Sequence, residues 1–319
     1  MKRAKQRGAA ILTAMLTVVL VATLAASTLW QQWRAVEIEA AERSRAQSVW
    51  VLNGALDWAR LILREDARKG GTDHLGEPWA VPLEQARLST FLATDRSDTL
   101  AADEAQDAFL SGQIVDLQAR LNITNLAQNG KIDEPSRIAF SRLFDQLNLP
   151  ASELMAMIAN LRLIQDGSAQ ALANMTLPLL PRDPDELTWL GLSPSTIASL
   201  RPFITILPMP TPVNLNTAAV EVIYACVEAF EMADASRLVR ERGASPLTSL
   251  ADATKVSGNA AARFVEGQHS VATRFFEVRG NLQVDQTTVL ERSVVQRDGL
   301  DVKTLWRKRG VTASGSPVQ

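Results

Sequence analysis

The sequence predicts an α+β protein: a very long N-terminal helix, an antiparallel sheet, and a large all-helical block inserted into that sheet. Three observations carry this. Ala9 to Leu29 runs without a charge, long enough to cross a bilayer core, which takes roughly 20 apolar residues. From Glu134 to about Ala262 apolar residues recur at helical spacing between proline breaks. From Phe275 the period changes to two, with turn signals between the runs. A strand-like stretch at Ile114–Ile123 precedes the block, so strands bracket it and one sheet receives it.

The N-terminal element sets the topology. Lys2, Arg3, Lys5 and Arg7 crowd the start, Gly8 follows, and Arg34 is the first charge beyond the apolar run. The basic flank stays cytoplasmic, which sends the bulk of the chain across the membrane. Trp30 and Trp33 fall where an amphipathic ring meets the far interface. Read locally, the segment fits a membrane anchor or a secretory signal, for which Ala25-Ala26-Ser27 supplies a small-residue cleavage site. The helix is expected to continue to Lys69. Val49, Leu52, Leu56, Ala59 and Leu63 recur at spacings of three and four, and Gly70-Gly71 stops the pattern. A helix of roughly 60 residues spans about 90 Å.

Residues 72–112 read as a turn-rich surface segment, with short strands or a helix near Ala101–Leu110. In the block, helices are expected over Pro135–Leu147, over Ser152–Leu163 with Ser152 as cap, and from Ser193-Pro194 to Phe203. Others are expected from Asn216 or Thr217 to Phe230, near Asp234–Arg242, and from Ser245-Pro246. The prolines at 178, 181 and 184, and at 208, 210 and 212, mark loops. Beyond Phe275, Arg279-Gly280-Asn281 and Asp298-Gly299 read as hairpin turns, and the chain after Gly310 as a disordered tail.

Composition narrows the function. The 319 residues carry 33 Lys+Arg against 35 Asp+Glu, a net charge of −2. Without the four basic residues of the first eight, 29 stand against 35, or −6. A chain of that sign is a poor general binder of nucleic acid, whose phosphates need a basic face. Cys226 is single and reads as a small core residue. His74 and His269 are isolated, without a second ligand at metal spacing, and read as surface or loop residues. The sequence contains no nucleophile elbow, P-loop or dinucleotide fingerprint. An enzyme reading therefore fares badly.

Val213–Asp252 resembles a helix-hairpin-helix module, which raises a second reading: a membrane-anchored DNA-binding or DNA-uptake protein. Such modules hold phosphate on backbone N–H groups at a glycine-rich hairpin. The matching stretch here has no glycine and carries Glu228, Glu231 and Asp234, which repel phosphate.

The basic segment ending at Gly8 resembles a type IV prepilin leader, which is cut after its glycine. Further motifs make the resemblance specific. Asp116–Leu126 (DLQARLNITNL), Pro212–Ala218 (PVNLNTA) and Ala272–Val278 (ATRFFEV) resemble, in order, motifs of the type II secretion minor pseudopilin K family. The resemblance implies a pilin-like α+β fold with a SAM-like or helix-hairpin-helix-like insertion. Its segments would be a leader 1–8, transmembrane helix 9–29, stalk 30–70, first pilin-like part 71–130, insertion 131–265, final strands 266–310 and tail 311–319. It implies cleavage between Gly8 and Ala9 by a prepilin peptidase, N-methylation of Ala9, and assembly with the major pseudopilin. It also implies a tip complex with minor pseudopilins I and J, in the inner membrane and then the periplasm, without nucleic acid.

Two departures follow from the resemblance. Most pilins have Glu at the fifth mature position, where this chain has Thr13; K pseudopilins characteristically lack that Glu, and an unpaired carboxylate in a membrane is costly. Fibre packing then falls to Thr13 and to the Val49, Leu52, Leu56, Leu63 stripe. Relatives often bind calcium through an acidic loop. Here Asp166 stands nearly alone, with Asp183 and Asp185 further on, too few for the six to eight oxygens calcium takes, so calcium is not expected.

Overall fold

The computed structural model describes residues 7–88, 108–166, 179–284 and 287–313. The chain divides into two compact units, Met1–Gly54 and Ala55–Gln319. One helix, α1 (Arg7–Lys69), supplies the whole described part of the first unit. Its apolar stretch is exposed and reaches a mean hydropathy of 2.2, enough for a membrane span by length and composition. The hydroxyls there are satisfied within the helix: Thr13 donates to the Ala10 carbonyl at 3.0 Å, and Thr17 and Thr23 do likewise one turn back. This suits a solvent that offers no hydrogen bonds. Gly70 and Gly71 have φ of 67° and 117°, the left-handed geometry that ends a helix.

The second unit is built on a five-stranded antiparallel sheet of order β1-β2-β9-β10-β11. Its strands are β1 (Leu83–Arg87), β2 (Ala108–Asp116), β9 (Phe275–Val284), β10 (Thr287–Asp298) and β11 (Asp301–Ala313). Because β2 pairs with β9, everything between them is an insertion at the middle of the sheet. One face of the sheet, with Phe276, Val278, Val295 and Val302, buries Leu56, Ala59 and Leu63 of α1 together with Trp79. The opposite face, with Phe275, Val294 and Trp306, packs Leu117 and Leu207 of the insertion. Alternate residues of one strand thus serve two different cores. Leu56 and Leu63, expected to pack against other subunits, are instead engaged inside this one.

The insertion is not wholly helical. Helices α2 (Glu134–Gln146), α3 (Ala151–Asp166), α4 (Pro194–Leu200), α5 (Val220–Cys226), α6 (Met232–Ala244) and α7 (Leu250–Ser257) surround one large apolar core. Between them lie two-residue strands: β3 (Leu121–Asn122) parallel to β6 (Ile204–Thr205), β4 (Ala127–Gln128) antiparallel to β5 (Lys131–Ile132), and β7 (Val213–Asn214) parallel to β8 (His269–Ser270).

Several expectations need correcting. The stretch 114–123 is not one strand: β2 starts at Ala108 and stops at Asp116, whose carboxylate caps a 3-10 turn by accepting from the Gln118 amide. Residues 108–110 are therefore strand rather than helix, and 101–107 lie outside the described residues. Helix α3 starts at Ala151, so Ser152 is not its cap. The proline loop closes into a 3-10 helix, Pro184–Leu190, capped by Asp183. Helix α4 keeps its Ser193 cap and ends at Leu200. Helix α5 starts only at Val220, because the side chains of Asn214, Asn216 and Thr217 are drawn into other bonds. Helix α7 is capped by Ser249, not opened by Ser245. Residues 279–281 continue β9, and β11 runs three residues past Gly310. The turn at Asp298-Gly299 stands, with Gly299 at φ 58°.

Candidate functional site

The three sequence motifs meet at a buried polar seam where the insertion leaves and re-enters the sheet. Asp116 closes β2 and lies at its centre. Its Oδ1 accepts from the Gln118 amide at 2.7 Å and the Thr273 hydroxyl at 2.7 Å; its Oδ2 accepts from Asn214 Nδ2 at 2.9 Å and the Thr217 hydroxyl at 2.6 Å. Each motif contributes a donor. Two carboxylate oxygens offer about four lone-pair sites, so the group is saturated. Burial raises the Asp116 pKa, opposed by the bonds from Thr217, Thr273, Asn214 and Gln118.

Flanking amides extend the seam. Gln118 donates to the Pro212 carbonyl and accepts from the Arg274 amide at 2.7 Å. Asn122 donates to the Met209 carbonyl and accepts from the Leu207 amide, and Asn125 bonds both the amide and the carbonyl of Thr211. These side chains act as backbone partners for chain that lies in no regular ladder, where unpaired polar groups would be costly. Arg242, from α6, donates to the carbonyls of Leu215 and Ala218, and burial lowers its pKa to about 10.

A second cluster ties the end of α1 to the same place. Arg297 of β10 pairs with Asp66 at 2.7 Å and with Asp73, donates to the Thr273 carbonyl, and lies 4.9 Å from the Phe276 ring centroid. Asp73 accepts from the Thr273 amide at 2.7 Å, and its carbonyl accepts from Asn214. Burial raises the pKa of Asp73 and of nearby Glu77, whose carboxylate accepts from the His74 amide and the Trp79 indole. Carboxylate oxygens of Asp66, Asp73 and Glu77 lie within 4.8 Å of one another. The Arg297 guanidinium already supplies this cluster with positive charge. No motif could have signalled it, since Arg297 stands over 200 residues from Asp66 and Asp73 and meets them only through the fold.

Catalytic chemistry finds no constellation among the described residues. His74 Nδ1 accepts from the Gly76 amide. His269 is buried rather than on the surface: Nδ1 accepts from the Val265 amide and Nε2 donates to the Cys226 carbonyl, while burial lowers its pKa. Burial pushes the Cys226 thiol up to about 12, far from a reactive thiolate. Asp183 caps its helix and pairs with Lys308 at 3.2 Å, and Asp185 pairs with Arg201. Asp166 ends α3. The stretch matching a phosphate-binding hairpin is already filled. Arg142 takes the carbonyls of Val227 and Phe230, and the Glu231 amide donates to Asp234. Ala229 takes the left-handed turn at φ 62° where such a hairpin would use glycine.

The fold and seam define a pilin-like subunit: a long apolar N-terminal helix on an antiparallel sheet, enlarged by an inserted block. Comparison with known proteins places it further. Two family models, each described as type II secretion system, protein K, match residues 119–209 and 213–272. Type II secretion system protein K of Pseudomonas aeruginosa is 27% identical over 99% of this chain and 96% of its own. That of Klebsiella pneumoniae is 26% identical over 96% and 97%. Among solved structures, a chain of the GspK-GspI-GspJ complex of the enterotoxigenic Escherichia coli type 2 secretion system superposes with a TM-score of 0.63. It is 19% identical and covers 85% of this chain and 98% of that one. Together these matches support a type II secretion minor pseudopilin of the protein K type. Neither the comparisons nor the filled hairpin favours the DNA-binding alternative.

Proposed function

We propose that the chain caps the tip of a type II secretion pseudopilus and has a structural rather than catalytic role. The observation that carries this is the insertion between β2 and β9. A repeating fibre stacks sheet domains at fixed spacing, and a block with a core larger than the sheet's own obstructs a further subunit above it. The seam's buried hydrogen bonds tie the block to the sheet where it leaves and re-enters it.

In this reading prepilin peptidase cuts between Gly8 and Ala9 and the Ala9 amine is methylated. The apolar helix holds the subunit in the inner membrane, N-terminus cytoplasmic and bulk periplasmic, until assembly. Thr13 bonds its own helix and presents no carboxylate for a neighbour's amine, which suits a subunit with nothing above it. Val49 is left to stalk packing alongside the apolar stretch, since Leu52 is itself buried. Minor pseudopilins I and J are the partners, as in the complex of the solved relative, with the major pseudopilin below. Lys308 and Arg201 pair with Asp183 and Asp185, which supports a reading without calcium at those carboxylates.

Fibre length tests the cap. Raising the ratio of this chain to the major pseudopilin should shorten the fibres seen by electron microscopy, and gold label on the block should sit at one fibre end. Label along the shaft, with length independent of dose, overturns the reading.

A further inference from the structure

The sheet carries a row of like charges across three neighbouring strands. Arg279 of β9 stands directly opposite Arg292 of β10, which stands directly opposite Lys308 of β11. Directly opposed residues on antiparallel strands point to the same face, and like charges so placed repel. Strands lie about 4.8 Å apart, so the three cations make a line of about 10 Å. The side chains are 37%, 32% and 56% exposed. The adjacent row on that face holds Val294 and Trp306, so the charges border an apolar cluster.

Counter-charge is present but falls short. Glu277 pairs with both arginines, and Asp183 pairs with Lys308. Arg120, at the exit of the 3-10 turn after β2, adds a fourth cation. Burial lowers its pKa most, with Arg279 and Arg292 adding to the fall against the pull of Glu277 and Asp116. Four cations against the three carboxylates Glu277, Asp183 and Asp116 leave +1 on a protein whose net charge is −2. Arg292 Nε is buried without a hydrogen-bond partner. An arginine-rich row beside a half-buried tryptophan has the composition of an interaction hot spot.

We propose that the row Arg279–Arg292–Lys308, with Trp306 beside it, is the docking surface for an acidic segment of another pseudopilin in the tip complex. This rests on the tip-assembly reading above and specifies its interface. The occupant is a protein segment presenting two or more carboxylates within about 10 Å, the reach of the row across three strands. It would cancel the excess charge. Nucleic acid suits the row less, since tight backbone binding draws on many more phosphate contacts.

The test uses the full-length chain, co-expressed with the I-type and J-type minor pseudopilins of its own system and extracted in mild detergent. Wild type should capture a partner, and capture should weaken as sodium chloride rises. Lys308→Glu should lower recovery at least about fivefold, the scale of an interface charge reversal. Lys308→Arg, which keeps the charge and the Asp183 pair, should retain it, which separates a lost contact from a lost fold. Wild-type capture unchanged in Lys308→Glu and in Lys308→Glu with Arg279→Gln overturns the row but leaves the tip reading intact. Wild type capturing neither partner overturns both. Variants that keep their partners but lose binding to phosphatidylglycerol vesicles would assign the row to lipid and overturn the proposal.

Discussion

Single residues decide whether the insertion stays attached. Asp116 is buried, and every bond it makes comes from a donor. Asp116→Asn keeps the shape but turns an amide N–H₂ toward either the Gln118 amide or the Asn214 amide. Two donors then face each other whichever way it turns. The expected loss is about 1–3 kcal/mol, the cost of a buried donor left unsatisfied. Thermal melting would show it as a fall of several degrees, and an unchanged melting temperature contradicts the seam's role. Glu277 gives the pH dependence. Burial pushes it up, but the bonds and charges of Arg292 and Arg279 outweigh that and hold it below the ordinary carboxylate value of 4.5. A depressed acid contributes stability above its unfolded pKa and loses it as pH falls through the folded one. Arg279→Gln should therefore melt below wild type at pH 7, with the gap closing as the pH falls below the ordinary value of 4.5. A gap unchanged at pH 3 would refute the assignment.

At the scale of elements, close approach and capping set the boundaries. Gly112 of β2 faces Gly280 of β9, and a Cβ on Gly112 would lie 2.8 Å from the Arg279 carbonyl oxygen. Gly112→Ala should cost about 1–3 kcal/mol by overpacking, read in urea titration. This pairing also explains why Gly280 looked like a turn and is not one: a glycine in a strand can mark close backbone contact as readily as a bend. Asp133 caps α2 by accepting from the Ser136 amide at 3.0 Å. Asp133→Ala should lose about 1 kcal/mol and expose the first turn of α2 to hydrogen exchange. Local chemistry was legible where it acted alone: the Gly70-Gly71 stop, the Ser193 cap and the Gly299 turn could be read from neighbouring residues. It failed where a distant partner took over. Asn216 and Thr217 look like helix starters, yet Asn216 bonds Leu247 and Thr217 bonds Asp116, so α5 begins later.

For the whole molecule, the change of period from helical to alternating gave the sheet and its insertion, because hydrophobic patterning reports burial directly. The motifs around Asp116, Asn214 and Thr273 marked the seam without revealing that they touch. The Arg297 cluster and the cationic row were invisible, since each depends on register between strands and on loops far apart in sequence. In the proposed reading the chain is a pilin-like subunit whose apolar helix remains after processing. The mass of the mature chain, extracted from the membrane fraction and read intact by mass spectrometry, tests this most directly. The account predicts a chain beginning at Ala9, with one added methyl group on its amine. A chain beginning at Ser27 or Thr28, or retaining Met1, would contradict it.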